Sequence, residues 1–239
     1  MNVREMQYDI RQKVNRLGTN QNQNLRIPEL DWKINEAIDV FIKAVAQPRI
    51  PNHLGFETSQ RSIDDIRTLV IDDKPVEVVK IDDFTYYAEL PSEYNFFVSG
   101  RVEITKEACG SKTARAILQQ HDDRFEEDSF ANSSYEWGDV NIYFYSKGIK
   151  IFTDGTFTVN KLKLDFIKKH PYVHNAQDFL PQKSYKDLRG DTLTGSQDCE
   201  LPEHTHREVV DLAVLSIATD LQLPDYQIKQ ARLALNQLV

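Results

Sequence analysis

An apolar stripe across residues 25–45 constrains the fold more than any other part of the sequence. Apolar side chains recur there at steps of four and three residues, which is the spacing of one helix face. They are Leu30, Ile34, Ile38, Phe41 and Val45. Pro28 suits a first helical turn, and Glu29 and Asp31 stand where the helix dipole favours negative charge. We therefore predict a buried helix that ends before Pro48.

Two other segments predict helices that could pack on this one. Residues 3–17 carry the helical spacing at Val3, Met6, Ile10, Val14 and Leu17. The polar link GTNQNQN at 18–24 would join this helix to the next as an antiparallel hairpin. A broad apolar stripe at 207–221 predicts a third helix, with Thr205 and Glu208 as a capping box. A last short helix is predicted to carry Ile228, Ala231 and Leu235.

The period changes to two in the middle of the chain, which predicts a β region of about seven strands. The predicted strands are residues 68–71, 75–81, 84–90, 95–105, 112–119, 139–145, 149–152 and 158–170. Asp154-Gly155 predicts a tight hairpin, because such a turn needs positive φ. On the last strand we expect an inward face and a solvent face. The inward residues are Leu162, Leu164 and Phe166, and the outward ones are Lys161, Lys163 and Asp165.

These elements predict an α+β fold in which N- and C-terminal helices form a bundle, with an antiparallel β-sandwich or small barrel inserted between them in the chain. The helical bundle domain would comprise 1–60 plus 204–239, and the β domain 61–170. Residues 171–203 contain three prolines and no period, so we expect an extended connection or arm. Its aromatic and apolar side chains would anchor it, at least partly, on a neighbouring subunit or another protein of the same assembly. They are Tyr172, Phe179, Leu180 and Tyr185.

Charge and cysteine content restrict the classes of function. The net charge of −8 argues against a protein that grips nucleic acid over its whole surface, since phosphate contacts need Lys and Arg. A weakly repelling duct for DNA stays compatible with it. Two cysteines cannot build a disulfide framework, and a reduced intracellular setting is the simpler interpretation. No apolar run has the length of a membrane span or the form of a signal peptide.

The sequence contains no phosphate loop, nucleophile elbow, HExxH or paired CxxC motif. Cys199, His204 and His206 have a spacing that zinc could use, but they more often belong to the start of a helix. Cys109 with a distant histidine is a weak protease pattern. The pairs Asp72-Asp73 and Asp82-Asp83 lack alternating oxygen ligands, so turn carboxylates are favoured over calcium ligands. We expect no enzyme activity, catalytic residue, cofactor or metal.

Three stretches resemble head–tail connector, or neck ring, proteins of crAss-like tailed bacteriophages. The first is GTNQNQNLRIPELDWKINEA, and this resemblance extends over Val14 to Lys43. The second is TVNKLKLDFIKKHPYV at 158–173, which resembles the last strand of the family's β region. The third, CELPEHTHREVVDLAVLSIATDL at 199–221, resembles the family's C-terminal helix.

The resemblance implies a virion structural protein of the neck, assembled in the cytoplasm of the bacterial host. It would form a homo-oligomeric ring, twelvefold in such phages, that joins the portal to other neck or tail proteins. Double-stranded DNA would pass through without specific binding, and no membrane would be involved. We expect subunit or partner contacts at Asn20, Asn22, Asn24 and Trp32, besides the four anchors in 171–203. The alternative is a virion-associated enzyme or carbohydrate-binding module that uses the aromatic strands of the β domain.

Overall fold

The structure is a computed structural model of the 239-residue chain. It describes residues 1–17, 25–46, 64–107, 109–119, 132–187 and 190–221. The fold is mixed α+β and divides into two compact units. The helical unit comprises Met1–Leu69 with His170–Val239, and the barrel unit comprises Val70–Lys169.

The helical unit contains α1 (Val3–Leu17), α2 (Ile27–Ala46) and α3 (His206–Asp220), with 3₁₀ turns at Arg67–Leu69, Ala176–Asp178 and Glu203–Thr205. Helix α3 packs against both α1 and α2. The apolar stripes form the core of this unit, with α1 contributing Val3, Met6, Ile10 and Val14, all at most 2% exposed. Each such side chain contributes roughly 1.5–3 kcal/mol by leaving water. Of the stripe predicted on α2, Leu30, Ile34, Ile38 and Phe41 are buried, and Val45 is half-buried.

The capping box predicted at the start of α3 is wrong. Thr205 precedes the helix in a helical conformation and its side chain makes no capping hydrogen bond. The Thr205 hydroxyl instead donates to the Pro202 carbonyl at 2.9 Å, inside the 3₁₀ turn. A preceding 3₁₀ turn leads directly into the helix, so the extended backbone that a side-chain cap requires is missing.

Among the described residues, seven strands close into a barrel in the order β1-β2-β6-β5-β4-β3-β7. The strands are β1 (Val70–Lys80), β2 (Thr85–Glu89), β3 (Tyr94–Lys106), β4 (Gly110–Leu118), β5 (Asp139–Tyr145), β6 (Gly148–Phe152) and β7 (Thr158–Lys168). All neighbours pair antiparallel except β4 and β5, which pair parallel. The prediction of a purely antiparallel region is therefore corrected. Of the two architectures left open, the structure shows the barrel.

The barrel interior follows the predicted alternation. Leu162, Leu164 and Phe166 are fully buried, as the period of two indicated. Asp165 is also buried, at 6% exposure, although we expected it to face solvent. The two strands predicted on either side of Asp72-Asp73 are one strand, β1, whose register shifts between Ile71 and Lys74. This is a bulge, and Asp73 takes positive φ there.

Asp154-Gly155 does not form the predicted hairpin. Gly155 has the expected positive φ of 78°. The flanking strands β6 and β7 are not neighbours in the barrel, so this loop connects two separated strands. The Asp154 carboxylate accepts the N–H of Thr156 at 2.8 Å, which stabilises the turn locally. A local turn signal therefore predicts the backbone conformation but not which strands pair.

Residues 171–203, which we expect to be an extended connection or arm, contain short elements of their own. The segment belongs to the helical unit. It contains two short antiparallel pairs, β8 (His174–Asn175) with β11 (Ser196–Gln197), and β9 (Ser184–Lys186) with β10 (Thr192–Thr194). Val173 and Ala176 are fully buried, so the segment contributes to the core of its own unit.

Several predictions fall outside the described residues. They concern the link at 18–24, the end of the predicted bundle segment 1–60 and the short helix predicted to carry Ile228, Ala231 and Leu235. Within the described part of the chain, no helix combines the length and the apolar character that crossing a membrane requires.

Candidate functional site

The helical unit carries a surface groove of about 430 Å³, which we call the aromatic groove. Three of the predicted contact residues, Trp32, Tyr172 and Tyr185, line it together. The full lining comprises Leu25, Pro28, Glu29, Leu30, Trp32, Lys33, Tyr172, Tyr185, Lys186, Asp187, Ile217, Asp220 and Leu221. Trp32 is 45% exposed and Leu221 37% exposed, so large apolar surface faces water there. Aromatic side chains in partly desolvated pockets are typical energetic centres of protein interfaces.

Residues from α2, from the end of α3 and from the segment that precedes α3 line the groove. Trp32 lies beside the buried stripe of α2, so its ring borders the core and faces the surface. Ile217 and Leu221 come from the end of α3, and α2 and α3 pack against each other. Tyr172 and Tyr185 come from the segment between barrel and α3, which places four parts of the chain around one groove.

A buried polar cluster fixes the wall that Tyr185 forms. Asp31 on α2 is fully buried, and its carboxylate accepts three hydrogen bonds. The donors are the Tyr185 hydroxyl at 2.6 Å, the Asn175 N–H at 3.0 Å and the Gln7 side-chain amide at 2.5 Å. Buried hydrogen bonds of this kind specify one arrangement, because each lost partner leaves a desolvated polar group. Helices α1 and α2 thereby hold the segment that carries Tyr185.

Asn35 provides a second attachment one helical turn further along α2. Its side-chain amide donates to the Val173 carbonyl at 2.7 Å, and its oxygen accepts the Val173 N–H at 2.9 Å. This pair of bonds satisfies both backbone groups of a fully buried residue. Because Val173 adjoins Tyr172, the position of the Tyr172 ring in the groove is set from α2.

The environment shifts the pKa of both groups in the hydrogen bond between Tyr185 and Asp31. Burial raises the pKa of Asp31 above its ordinary value, although the bonds from Tyr185, Asn175 and Gln7 act in the opposite direction. Burial and the adjacent Asp31 carboxylate raise the pKa of the Tyr185 hydroxyl, so it stays a donor. Burial therefore favours the neutral form of Asp31, whereas its three hydrogen bonds favour the charged form.

The rim of the groove carries charges of both signs. Lys33 forms ion pairs with Asp220 at 2.6 Å and with Glu36 at 2.8 Å, and it donates to Ser216 at 2.9 Å. Burial opposes the charge on Lys33, but the bonds to Asp220 and Glu36 outweigh it and raise its pKa. The ion pairs tie the end of α3 to α2 at the mouth of the groove. The remaining rim charges are Glu29, Lys186 and Asp187.

The other predicted contact residues lie elsewhere. Phe179 packs edge-on against Tyr185, with ring centroids 5.8 Å apart, and so supports the groove from behind. Leu180 is 71% exposed and lines a second, wider depression of about 1140 Å³ beside α1. Arg4, Tyr8 and Arg11 line the same depression. Asn20, Asn22 and Asn24 fall outside the described residues.

The residues with a zinc-like spacing bind other groups. His204 contacts the Asp65 carboxylate at 2.8 Å, and His206 bonds the Leu201 carbonyl at 2.8 Å. Cys199 is buried, and burial raises the pKa of its thiol to about 11, which disfavours the thiolate that binds metal. Within the described ranges, no three His, Cys, Asp or Glu side chains are arranged to hold a metal ion.

The barrel unit has its own buried carboxylate, Asp165. It accepts the Asp73 N–H at 2.7 Å, a hydrogen bond from the Ser99 hydroxyl and an ion pair from Arg101 at 3.2 Å. Burial acts to raise the pKa of Asp165, but these three donors together lower it. The bulge in β1 is what directs the Asp73 N–H at this carboxylate. The Asp72-Asp73 pair thus serves the barrel wall.

Reasoning from sequence missed the Asp31 cluster. We placed Asp31 at the helix start for its charge, yet it lies three and seven residues before Ile34 and Ile38 on the buried face. A carboxylate within an apolar stripe was the available signal. Its partners Asn175 and Tyr185 lie 144 and 154 residues away, so no local pattern identifies them. No protein-family model matches the sequence, and comparison with curated proteins found no match either.

Proposed function

We propose that this protein is a structural subunit of the head-to-tail connector of a crAss-like tailed phage. It would form a cyclic ring in the neck, join the portal to the tail and let genomic DNA pass. One observation carries the proposal. Each of the three stretches that resemble neck ring proteins contributes a residue to the aromatic groove, namely Trp32, Tyr172 and Leu221. Segments far apart in sequence thus share one exposed apolar surface, as an interface would require.

We further propose that α1, α2 and α3 form a helical bundle that is the body of the subunit. Helix α3 contacts both other helices, and Lys13 on α1 pairs with Asp211 on α3 at 2.9 Å. A rigid body with a groove suits ring assembly, because a cyclic contact joins two different surfaces of each copy. The groove would be one of the two surfaces.

The charge of the chain is consistent with a duct for DNA. With −8 net charge the protein repels a polyanion overall, and a passing duplex then meets few sites that retain it. The proposal therefore includes DNA as cargo in transit and the portal as a protein partner.

The alternative is a carbohydrate-binding module on the barrel. Its supporting observation is Trp137, which is 85% exposed on that unit. Against it, five aromatic side chains of the strands lie in the barrel core or pack against it, namely Tyr86, Tyr94, Phe97, Phe144 and Phe166. They supply packing energy to the barrel, which is the usual role of aromatic residues in sheets.

Light scattering after size exclusion, followed by negative-stain electron microscopy of the full chain, tests the proposal. We expect closed rings that Trp32→Ala abolishes. Trp137→Ala is the matched control, since it removes an exposed tryptophan from the other unit, and it should leave the rings intact. A wild-type chain that stays monomeric at its highest soluble concentration contradicts the ring. Binding of glycans lost on Trp137→Ala would favour the alternative.

A further inference from the structure

We propose that the aromatic groove of one copy is occupied by residues 222–239 of the adjacent copy. This inference rests on the proposed ring, and it names the occupant of the groove. The groove lies where the described chain ends, because Leu221 and Asp220 line its mouth. The segment that follows therefore starts at the groove and is available in one copy for every groove.

The sequence of residues 222–239 fits such a site. Apolar residues recur at steps of three and four, which predicts a helix with one apolar face. They are Ile228, Ala231, Leu235 and Leu238. An amphipathic helix that lays this face into an apolar groove is a common mode of recognition. The exposed ring of Trp32 and the side chain of Leu221 would be covered by it.

Charge complements the apolar fit. The segment carries Lys229 and Arg232 against one acidic residue, Asp225. The groove lining carries three carboxylates, from Glu29, Asp187 and Asp220, against two lysines. Opposite net charge on the two surfaces favours their encounter and fixes the register of docking.

The proposed ring assigns the segment to the neighbour's groove, and the link that joins the segment to α3 is short. Only Gln222, Leu223 and Pro224 separate Leu221 from Asp225. Pro224 disfavours a helical conformation of Leu223, so the sequence predicts that the helix of the segment is separate from α3. Exchange of an element between identical copies is a low-cost route to assembly, and head-to-tail exchange closes a ring.

The first test uses a fluorescent peptide of residues 222–239 and the full chain with Ile228→Asp and Leu235→Asp, which disables its own segment. Fluorescence anisotropy should show binding of the peptide. Trp32→Ala or Leu221→Asp, added separately, should weaken binding about tenfold or more, as loss of an interface anchor does. Trp137→Ala should leave binding unchanged. Absence of binding, or binding insensitive to both groove variants, overturns the proposal.

The second test mixes two full-length variants that are each expected to be monomeric, the double-aspartate variant and Trp32→Ala. The first keeps an intact groove and the second an intact segment, so exchange between copies predicts a heterodimer that cannot close into a ring. A mixture that stays monomeric overturns the proposal, and so does a wild-type chain that is monomeric while the peptide binds, because the segment would then dock within its own copy. The two failures are distinguishable. A wild-type chain that stays monomeric contradicts the proposed ring. The peptide measurement needs no ring, so its failure contradicts the proposed occupant of the groove.

Discussion

Among the residues that the structure describes, each unit buries one carboxylate, and the two are held in opposite ways. Asp31 in the helical unit is fully buried and accepts bonds from a hydroxyl, an amide and a backbone N–H, all neutral donors. Asp165 in the barrel is paired with the Arg101 guanidinium at 3.2 Å. Neutral donors do not outweigh burial at Asp31, so its pKa is raised. With the guanidinium present, the pKa of Asp165 is lowered.

The difference indicates what each carboxylate does. Asp165 joins β7 to the bulge of β1 and to β3, and both of these strands already pair with β7. Asp31 joins α1, α2 and the segment that carries Tyr185, which no sheet connects to those helices. The barrel has backbone hydrogen bonds to specify its register, whereas the groove wall depends on side chains. Removing each carboxylate should therefore affect the two units unequally.

The largest effect is expected for Asp31→Ala. The change leaves the Tyr185 hydroxyl, the Asn175 N–H and the Gln7 amide without their acceptor, and each unsatisfied buried donor costs about 1–3 kcal/mol. Relief of the buried charge offsets part of this, so we expect about 3 kcal/mol of lost stability. Urea titration monitored by hydrogen-exchange mass spectrometry should show the loss in peptides of α1, α2 and 172–187.

Asp39→Ala is the matched control, because Asp39 is exposed on the same helix. It should change the free energy of unfolding by less than about 0.5 kcal/mol. An Asp31→Ala protein as stable as this control would mean that the cluster does not hold the groove wall.

A smaller loss in the free energy of unfolding, about 2 kcal/mol, is expected for Asp165→Ala. Arg101 is 46% exposed and also pairs with the Asp73 carboxylate at 3.0 Å, so it keeps both water and a partner. The Ser99 hydroxyl and the Asp73 N–H lose their acceptor, which accounts for the remaining cost. The loss of stability should appear in the hydrogen exchange of peptides from β1, β3 and β7 only. Glu77→Ala, at an exposed position of β1, is the control. A loss that exceeds that of Asp31→Ala would reverse the comparison.

The same contrast explains what could be predicted from the sequence. The inward positions of β7 and the stripe of α2 follow from local periods, since the backbone alone sets which face a residue takes. The positive φ of Gly155 was predictable for the same reason. Which strands flank it in the barrel was not, because pairing depends on the whole sheet. The groove gathers Trp32, Tyr172 and Tyr185 through contacts that span over 130 residues. Their apolar character was visible in the sequence, and their meeting was not.

The smallest effect expected is on the pH dependence of the two units, and it has opposite sign in each. An unfolded aspartate titrates near 3.9. Folding raises the pKa of Asp31. The stability that this shift contributes is therefore fully present below about pH 3.9 and is lost as the pH rises through the raised pKa. Because folding lowers the pKa of Asp165, its contribution is present above about pH 3.9 and is lost as the pH falls through the lowered value. A single group changes stability by at most about 1.4 kcal/mol per pH unit.

The measurement is the free energy of unfolding of the wild-type protein minus that of Asp31→Asn, and likewise minus that of Asp165→Asn. The contributions of all other titrating groups cancel in these differences. From about pH 4 towards 7, the helical unit of the wild type should lose stability relative to Asp31→Asn. From about pH 4 towards 2.5, the barrel of the wild type should lose stability relative to Asp165→Asn. Hydrogen exchange in peptides of each unit reports the stability of the two units separately. Slopes of equal sign would show that the neutral donors hold Asp31 as strongly as the guanidinium holds Asp165, because both carboxylates would then be stabilised in the charged form by folding.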